Sequence, residues 1–310
     1  MEPAKRLIRT LAIVALFFFL GFVWPNARKH DMSGFTALDG KLEVHFVDVG
    51  EGDCALLMCG GEAMLVDAGS PDDAQTVTDY LDSHGIRKIK LAVCSHNHSD
   101  HIGGMSAVLE SCSVETLYLS PTHNANADYD MLLETAEKRG VAVVEPDSPP
   151  KLSLTLGDAA VEFIGPAGPY KDPNNASLVV NVTYGGASFL FTGDMEEESE
   201  HEMLDYRLMP KDITVLKTAH HGSDTSSCFS LLTQLDPIYA VVSTDGQGEN
   251  PTEDVLLRLD QACDHVYRTD KHGTVVIRTD GADVEVVTEN EYPDNLIDSQ
   301  AYEQRLAQGN

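Results

Sequence analysis

Three histidines and an aspartate stand within six residues, His96-Asn97-His98-Ser99-Asp100-His101, directly after the apolar run Leu91-Ala92-Val93-Cys94. Imidazole and carboxylate are borderline ligands suited to zinc, manganese or iron. On a loop leaving a buried strand, His96 and His98 can point the same way while Asp100 and His101 turn toward a neighbouring position. One segment can then serve two metals about 3.5–4 Å apart, the separation that two-metal hydrolases use. The bland alternative is a polar loop with chance histidines, and so dense a cluster argues against it.

One loop cannot close a binuclear site, and two further strand exits offer ligands. Phe189-Leu190-Phe191-Thr192-Gly193-Asp194 ends an apolar run in a carboxylate able to bridge two ions. Val215-Leu216-Lys217-Thr218-Ala219-His220-His221-Gly222-Ser223 ends another in paired histidines. Alone, a Thr-Gly-Asp turn is ordinary, and a His-His pair at a strand exit serves metal or phosphate binding about as often as not; three such exits in one chain point to a metal centre. Asp48, Asp53 and Asp67 lie at the ends of earlier strands. Asp67 could orient a metal-bound histidine, and turn capping explains any of the three equally well. Ser223, Thr225 and Ser226 precede a helix and suit its cap, where backbone amides could also receive a phosphate oxygen.

The elements that must position these residues alternate along residues 41–288, which read as one domain. Strands are expected at 42–49, 55–59, 63–66, 89–94, 114–119, 141–144, 152–156, 161–164, 177–183, 188–191, 213–217, 238–242, 273–278 and 283–287. Helices are expected at 73–84, 104–110, 129–139, 196–208, 226–235 and 252–262. Strand-rich stretches followed by helices, occurring twice, fit two β-sheets sandwiched between helical layers, an α/β fold.

Composition bounds the rest. With 310 residues and 42% hydrophobic content the chain can bury a sizeable core. The six cysteines are scattered without a Cys-x-x-Cys pair, and most sit in apolar runs, as buried free thiols do. A net charge of −29, from 50 acidic and 21 basic residues, lacks the basic footprint of a tight DNA binder. Lys5, Arg6 and Arg9 precede an apolar run from Leu11 to Trp24, so residues 1–25 read as an export signal or membrane anchor that leaves the domain outside the cell. Residues 26–40 read as a linker and 289–310 as a mobile acidic tail.

The ordered motifs Asp48-Val-Gly-Glu-Gly-Asp53, His96–His101, Asn174-Asn-Ala-Ser177-Leu-Val, Thr192-Gly-Asp194, His220-His-Gly-Ser223 and Tyr267-Arg-Thr-Asp-Lys-His-Gly-Thr274 resemble the metallo-β-lactamase-fold domain of the ComEC competence family. The resemblance covers roughly residues 41 to 288. It implies an αββα four-layer sandwich of two mixed sheets flanked by helices. It also implies a binuclear centre that hydrolyses phosphodiester bonds through a hydroxide between two divalent ions, Zn or Mn. Carried over, His96 and His98 bind the first metal, Asp100 and His101 the second, Asp194 bridges, and His220 or His221 completes the second site. The histidine left over is the candidate donor to the substrate, with Ser223 assisting, and Asp100 or Asp194 holds the hydroxide's proton. Asn174 or Asn175 stands where related enzymes carry a further histidine, and Asn250 stands where the family has Gly-His-Pro. The expected substrate is a phosphoester, single-stranded DNA in the family's manner. The acidic surface instead favours a smaller ester such as a phosphocholine or a nucleotide. A non-catalytic binding protein on the same fold is the third reading, motivated by the two asparagine positions.

Overall fold

Along β1 (Leu42–Phe46) the apolar Leu42, Val44 and Phe46 alternate with Glu43 and His45. This period of two gives the strand two differently employed faces. One face joins Leu57, Met64, Val180, Phe189, Val215 and Val241 in an apolar layer drawn from both sheets. The computed structural model describes residues 40–293. The expected signal or anchor at 1–25 and nearly all of the linker lie outside the described residues, as does the tail beyond 293. Among the described residues no helix is long and apolar enough to cross a membrane.

The first sheet has eight strands in the order β15-β14-β1-β2-β3-β4-β5-β6. They are β1, β2 (Ala55–Cys59), β3 (Glu62–Val66), β4 (Lys88–Cys94), β5 (Ser113–Leu119), β6 (Ala142–Val144), β14 (Val275–Thr279) and β15 (Val284–Thr288). The second has seven, β13-β12-β11-β10-β9-β8-β7: β7 (Leu152–Leu156), β8 (Ala159–Gly165), β9 (Val179–Tyr184), β10 (Ala187–Phe191), β11 (Val215–Lys217), β12 (Tyr239–Val242) and β13 (His265–Arg268). Both sheets are mixed in the same way. Antiparallel pairs β1/β2 and β2/β3 pass into parallel pairs β3/β4 and β4/β5. In the second sheet, β9/β10 is antiparallel and β10/β11, β11/β12 and β12/β13 are parallel.

Helices α1 (Ala74–Ser83), α2 (Ser99–Ile102), α3 (Met105–Ser111) and α4 (Ala127–Arg139) come from the first half. Val77, Leu81, Val108, Leu109 and Leu132 cover Leu56, Leu65 and Ala92 on the outer face of the first sheet. Helices α5 (Glu197–Asp205), α6 (Phe229–Leu235) and α7 (Glu253–Ala262) do the same for the second, through Met203, Leu231, Leu235, Val255 and Leu259. Three apolar layers between four structural layers make the expected αββα sandwich.

Most elements lie within two or three residues of their expected bounds. β13 and the single-turn helices α2 and α8 (Thr269–His272) are additional to those expected. The helix expected at 226–235 begins three residues later. The amides of Ser227 and Cys228 point instead at the Glu200 carboxylate. The helix thus starts after Cys228, not at Ser223, Thr225 or Ser226, and the two amides leading into it are already employed. The first residues of the expected tail are tied to the domain, Glu289 N donating to Thr274 O at 3.0 Å and Asn290 N to His272 O at 2.7 Å. All six cysteines are free, five of them buried.

Candidate metal centre

Every side chain of the centre leaves the carboxyl end of a strand, the usual edge for ligands in sheets with parallel pairs. Asp67 follows β3, His96 follows β4, Asp194 follows β10, and His220 and His221 follow β11. Ser95 fixes the first exit: its N–H and hydroxyl donate to the two Asp67 carboxylate oxygens at 2.7 and 2.8 Å. His98 then caps α2, which turns Asp100 and His101 back over the strand ends. Gly52 is needed beneath that turn, since a Cβ there would stand 2.3 Å from the Asp100 carbonyl oxygen. At the second exit Gly193 combines a φ of +52° with a would-be Cβ only 2.8 Å from Ser95. His220 and His221 themselves hold left-handed φ values of 48° and 52°, strain of a kind that functional sites store.

Two sets of donors converge. His96, His98 and Asp194 form one, and Asp100, His101, Asp194 and His221 the other. In the first, His96 Nε2 lies 3.0 Å from His98 Nδ1 and 3.6 Å from Asp194 Oδ2. In the second, His101 Nε2 lies 3.2 Å from Asp194 Oδ2 and 3.4 Å from Asp100 Oδ2, and His221 Nε2 lies 3.2 Å from Asp100 Oδ2. The rear nitrogens are fixed as well. His101 Nδ1 is 3.0 Å from Asp67 Oδ2, and His221 Nδ1 is 3.2 Å from the Ser243 carbonyl oxygen.

The donors fit two divalent ions. His101 Nε2, His221 Nε2 and one Asp194 oxygen are buried and have no hydrogen-bond partner among the described residues. Such atoms are costly unless something else satisfies them. Burial holds His96 well below the ordinary imidazole range, so it is neutral and able to coordinate. Burial opposes ionisation of Asp194, but His101, His221 and His96 outweigh it and hold the carboxyl well below its usual value. Burial likewise opposes charge on His101, and Asp194, Asp100 and Asp67 outweigh it and raise the imidazole. The pocket is thus built to hold positive charge.

The residues matched by the metallo-beta-lactamase superfamily model, 47–246, contain the entire cluster. The chain belongs to that superfamily. Its relatives include ComE operon protein 3 of Bacillus subtilis, 27% identical over 88% of this chain and 36% of that one. Competence protein ComA of Neisseria gonorrhoeae is 29% identical over 74% of this chain and 31% of its own length. The chain therefore spans about a third of the length of these relatives. Among solved structures, the diiron β-hydroxylase CmlA of Streptomyces venezuelae superposes with a TM-score of 0.52 at 15% identity, over 78% of this chain and 55% of that one. That likeness concerns the fold alone.

Within this superfamily member the two candidate histidines separate. His221 is 2% exposed and belongs to the second donor set. His220, its side chain 23% exposed, stands outside both sets with Nε2 3.9 Å from Asp194 Oδ2 and Nδ1 3.2 Å from Glu196 Oε1. Thr225 and Asn174 also donate to that Glu196 oxygen, at 3.1 and 3.5 Å. Asn175 is engaged elsewhere: its Oδ1 accepts from the Glu196 and Ser199 amides and fixes the start of α5. Ser223 is buried, with its hydroxyl 3.0 Å from that of Thr225. The Asn250 carbonyl accepts from Thr244, and the next residue, Pro251, packs against Gly222 of the histidine turn. Asp48 serves a turn, its Oδ1 accepting from Gly50 N. Glu196 and Lys217 went unnoticed in the sequence. The signal for Lys217 was a charged residue ending an otherwise apolar strand.

Proposed function

We propose that the protein is a two-metal hydrolase of phosphodiester bonds with nucleic acid as its substrate. The observation that carries this reading is the position of Asp194, a carboxylate common to both histidine sets. His96, His98 and Asp194 would hold one ion, and Asp100, His101, Asp194 and His221 the other. Zinc or manganese bound there would supply Lewis acidity and activate water near neutral pH. The chain's own residues do the rest. Asp67 holds the His101 ring and the Ser243 carbonyl holds the His221 ring. Asp100, with its side chain 36% exposed, lies on the open side of the centre and holds the proton of the attacking water by a hydrogen bond. His220, tethered by Glu196, presents Nε2 to the same opening and donates to the phosphoryl or leaving oxygen. Competence-protein relatives support the nucleic-acid substrate.

The test is hydrolysis by the purified full chain, loaded with Mn²⁺ or Zn²⁺, of single-stranded DNA and of bis-p-nitrophenyl phosphate. Cleavage of both, stopped by a chelator, is expected. A second reading, an esterase of a small phosphorylated molecule, is favoured by the net charge of −29, which repels a polyanion. Cleavage of the small ester without DNA would select it. Loading with metal and no hydrolysis of either would leave a binding protein on this fold. We further place the domain outside the cell, held or exported by the amino-terminal apolar run. Protease accessibility on intact cells tests this, and a protected domain would contradict it.

A further inference from the structure

Behind the ligand histidines lies a third group of donors, Asp53, Asp67 and His101. The mechanism above uses it only to orient His101. Asp53 and Asp67 are 4% and 1% exposed, and buried carboxylates are costly unless a cation lies among them. The chain supplies one for Asp53, while Asp67 is held by Ser95 and His101. Lys217 ends β11 two residues after Val215, which faces the layer between the sheets, so the strand's period of two sends Lys217 to the same interior. It is 4% exposed. Its Nζ lies 2.8 Å from Asp53 Oδ1 and donates to the Thr218 carbonyl oxygen at 2.8 Å.

Asp53 passes this anchoring on. Its Oδ1 is 3.6 Å from His221 Nδ1 and its Oδ2 is 4.0 Å from His101 Nδ1. Asp53, Asp67, Gly193 and Lys217 also border an internal cavity of about 10 Å³, room for about one water-sized sphere. We propose that the Lys217 ammonium is a permanent third cation of the centre. It neutralises Asp53 at the edge of the Asp53–Asp67–His101 group, limits the centre to two metal ions, and keeps Asp53 beside the rear nitrogen of His221. This rests on reading the His96–Asp194–His221 cluster as a metal centre. The charge balance gives the lysine a purpose. The four carboxylates of Asp53, Asp67, Asp100 and Asp194 are cancelled by two divalent ions, and Lys217 offsets the fifth, Glu196 beside His220, so the centre stays neutral toward an anionic ester.

The experiment is manganese stoichiometry, read by elemental analysis after gel filtration, on the full-length wild type, Lys217→Met and Lys217→Met/Asp53→Asn. The melting temperature of each metal-free protein is the second readout. Expected are two equivalents in the wild type, three in K217M and two in the double variant. Metal-free K217M melts several degrees below wild type, and the added D53N restores the loss. If K217M folds only when Mn²⁺ is present, or folds only with D53N added, a cation is required at that position and the assignment stands. Two equivalents in a folded K217M overturn it, as does a double variant that fails to fold. No bound manganese or zinc in the wild type overturns the metal-centre reading itself.

Discussion

The Asp194 carboxylate oxygen Oδ2 stands 3.2 Å from Nε2 of His101, and both groups are buried, Asp194 just after β10 of one sheet and His101 on the turn α2 that follows β4 of the other. The sandwich thus closes on its own ligands: β4 brings the imidazole and β10 the carboxylate. Asp194→Asn removes a charge shared by both donor sets. The bound metal should fall from two ions to below one, and hydrolysis should fall about a thousandfold or more. Elemental analysis and turnover of bis-p-nitrophenyl phosphate check both, and near-normal metal content would contradict the bridging role.

Asp67 touches His101 on the side away from the metal position, at 3.0 Å. Asp67→Asn should therefore lower metal affinity about ten- to a hundredfold, the usual cost of losing a carboxylate that orients a ligand histidine. Competition with a chromophoric chelator measures it. Unchanged affinity would make Asp67 a turn residue only.

His220 and His221 are neighbours in sequence with different surroundings. His220→Gln should leave two ions bound while turnover drops about 10²–10⁴-fold, the range of general acid–base groups. His221→Gln should lose metal. Equal metal loss in both variants would place His220 among the ligands.

His45 gives a pH dependence away from the centre. Burial lowers its pKa from 6.5, against the raising influence of Glu43, while His84 and Arg278 also lower it. Its Nδ1 lies 2.7 Å from the Tyr80 hydroxyl. The unfolded chain binds the proton more tightly here, so the stability this group contributes is full above pH 6.5. It is lost as pH falls from there through the folded pKa. Denaturant titrations between pH 7.5 and 5 should show a shallower decline for His45→Gln than for wild type. Identical slopes would contradict the assignment.

Much of this architecture is legible in the sequence because strand exits carry local signals. The apolar run to Cys94 followed by His96–His101, and the Gly193-Asp194 and His220-His221 turns, mark candidate site residues and strand ends alike. What was illegible depends on tertiary contact. β13 has only Val266 fully buried and forms by pairing with β12. Its four residues show little alternation. Glu200 holds the amide of Ser227, 27 residues further along the chain and just ahead of α6, a distance no local motif encodes. Choosing between His220 and His221 needed the Ser243 carbonyl, brought in by β12. Lys217 resembles any strand-end lysine until the second sheet buries it against Asp53.

The most direct measurement of the central claim is hydrolysis of bis-p-nitrophenyl phosphate by the manganese-loaded full chain, beside its Asp100→Ala variant and a chelated sample. Turnover by the wild type is predicted, with none in the folded variant and none after chelation. Undiminished turnover in Asp100→Ala or after removal of the metal would contradict the account.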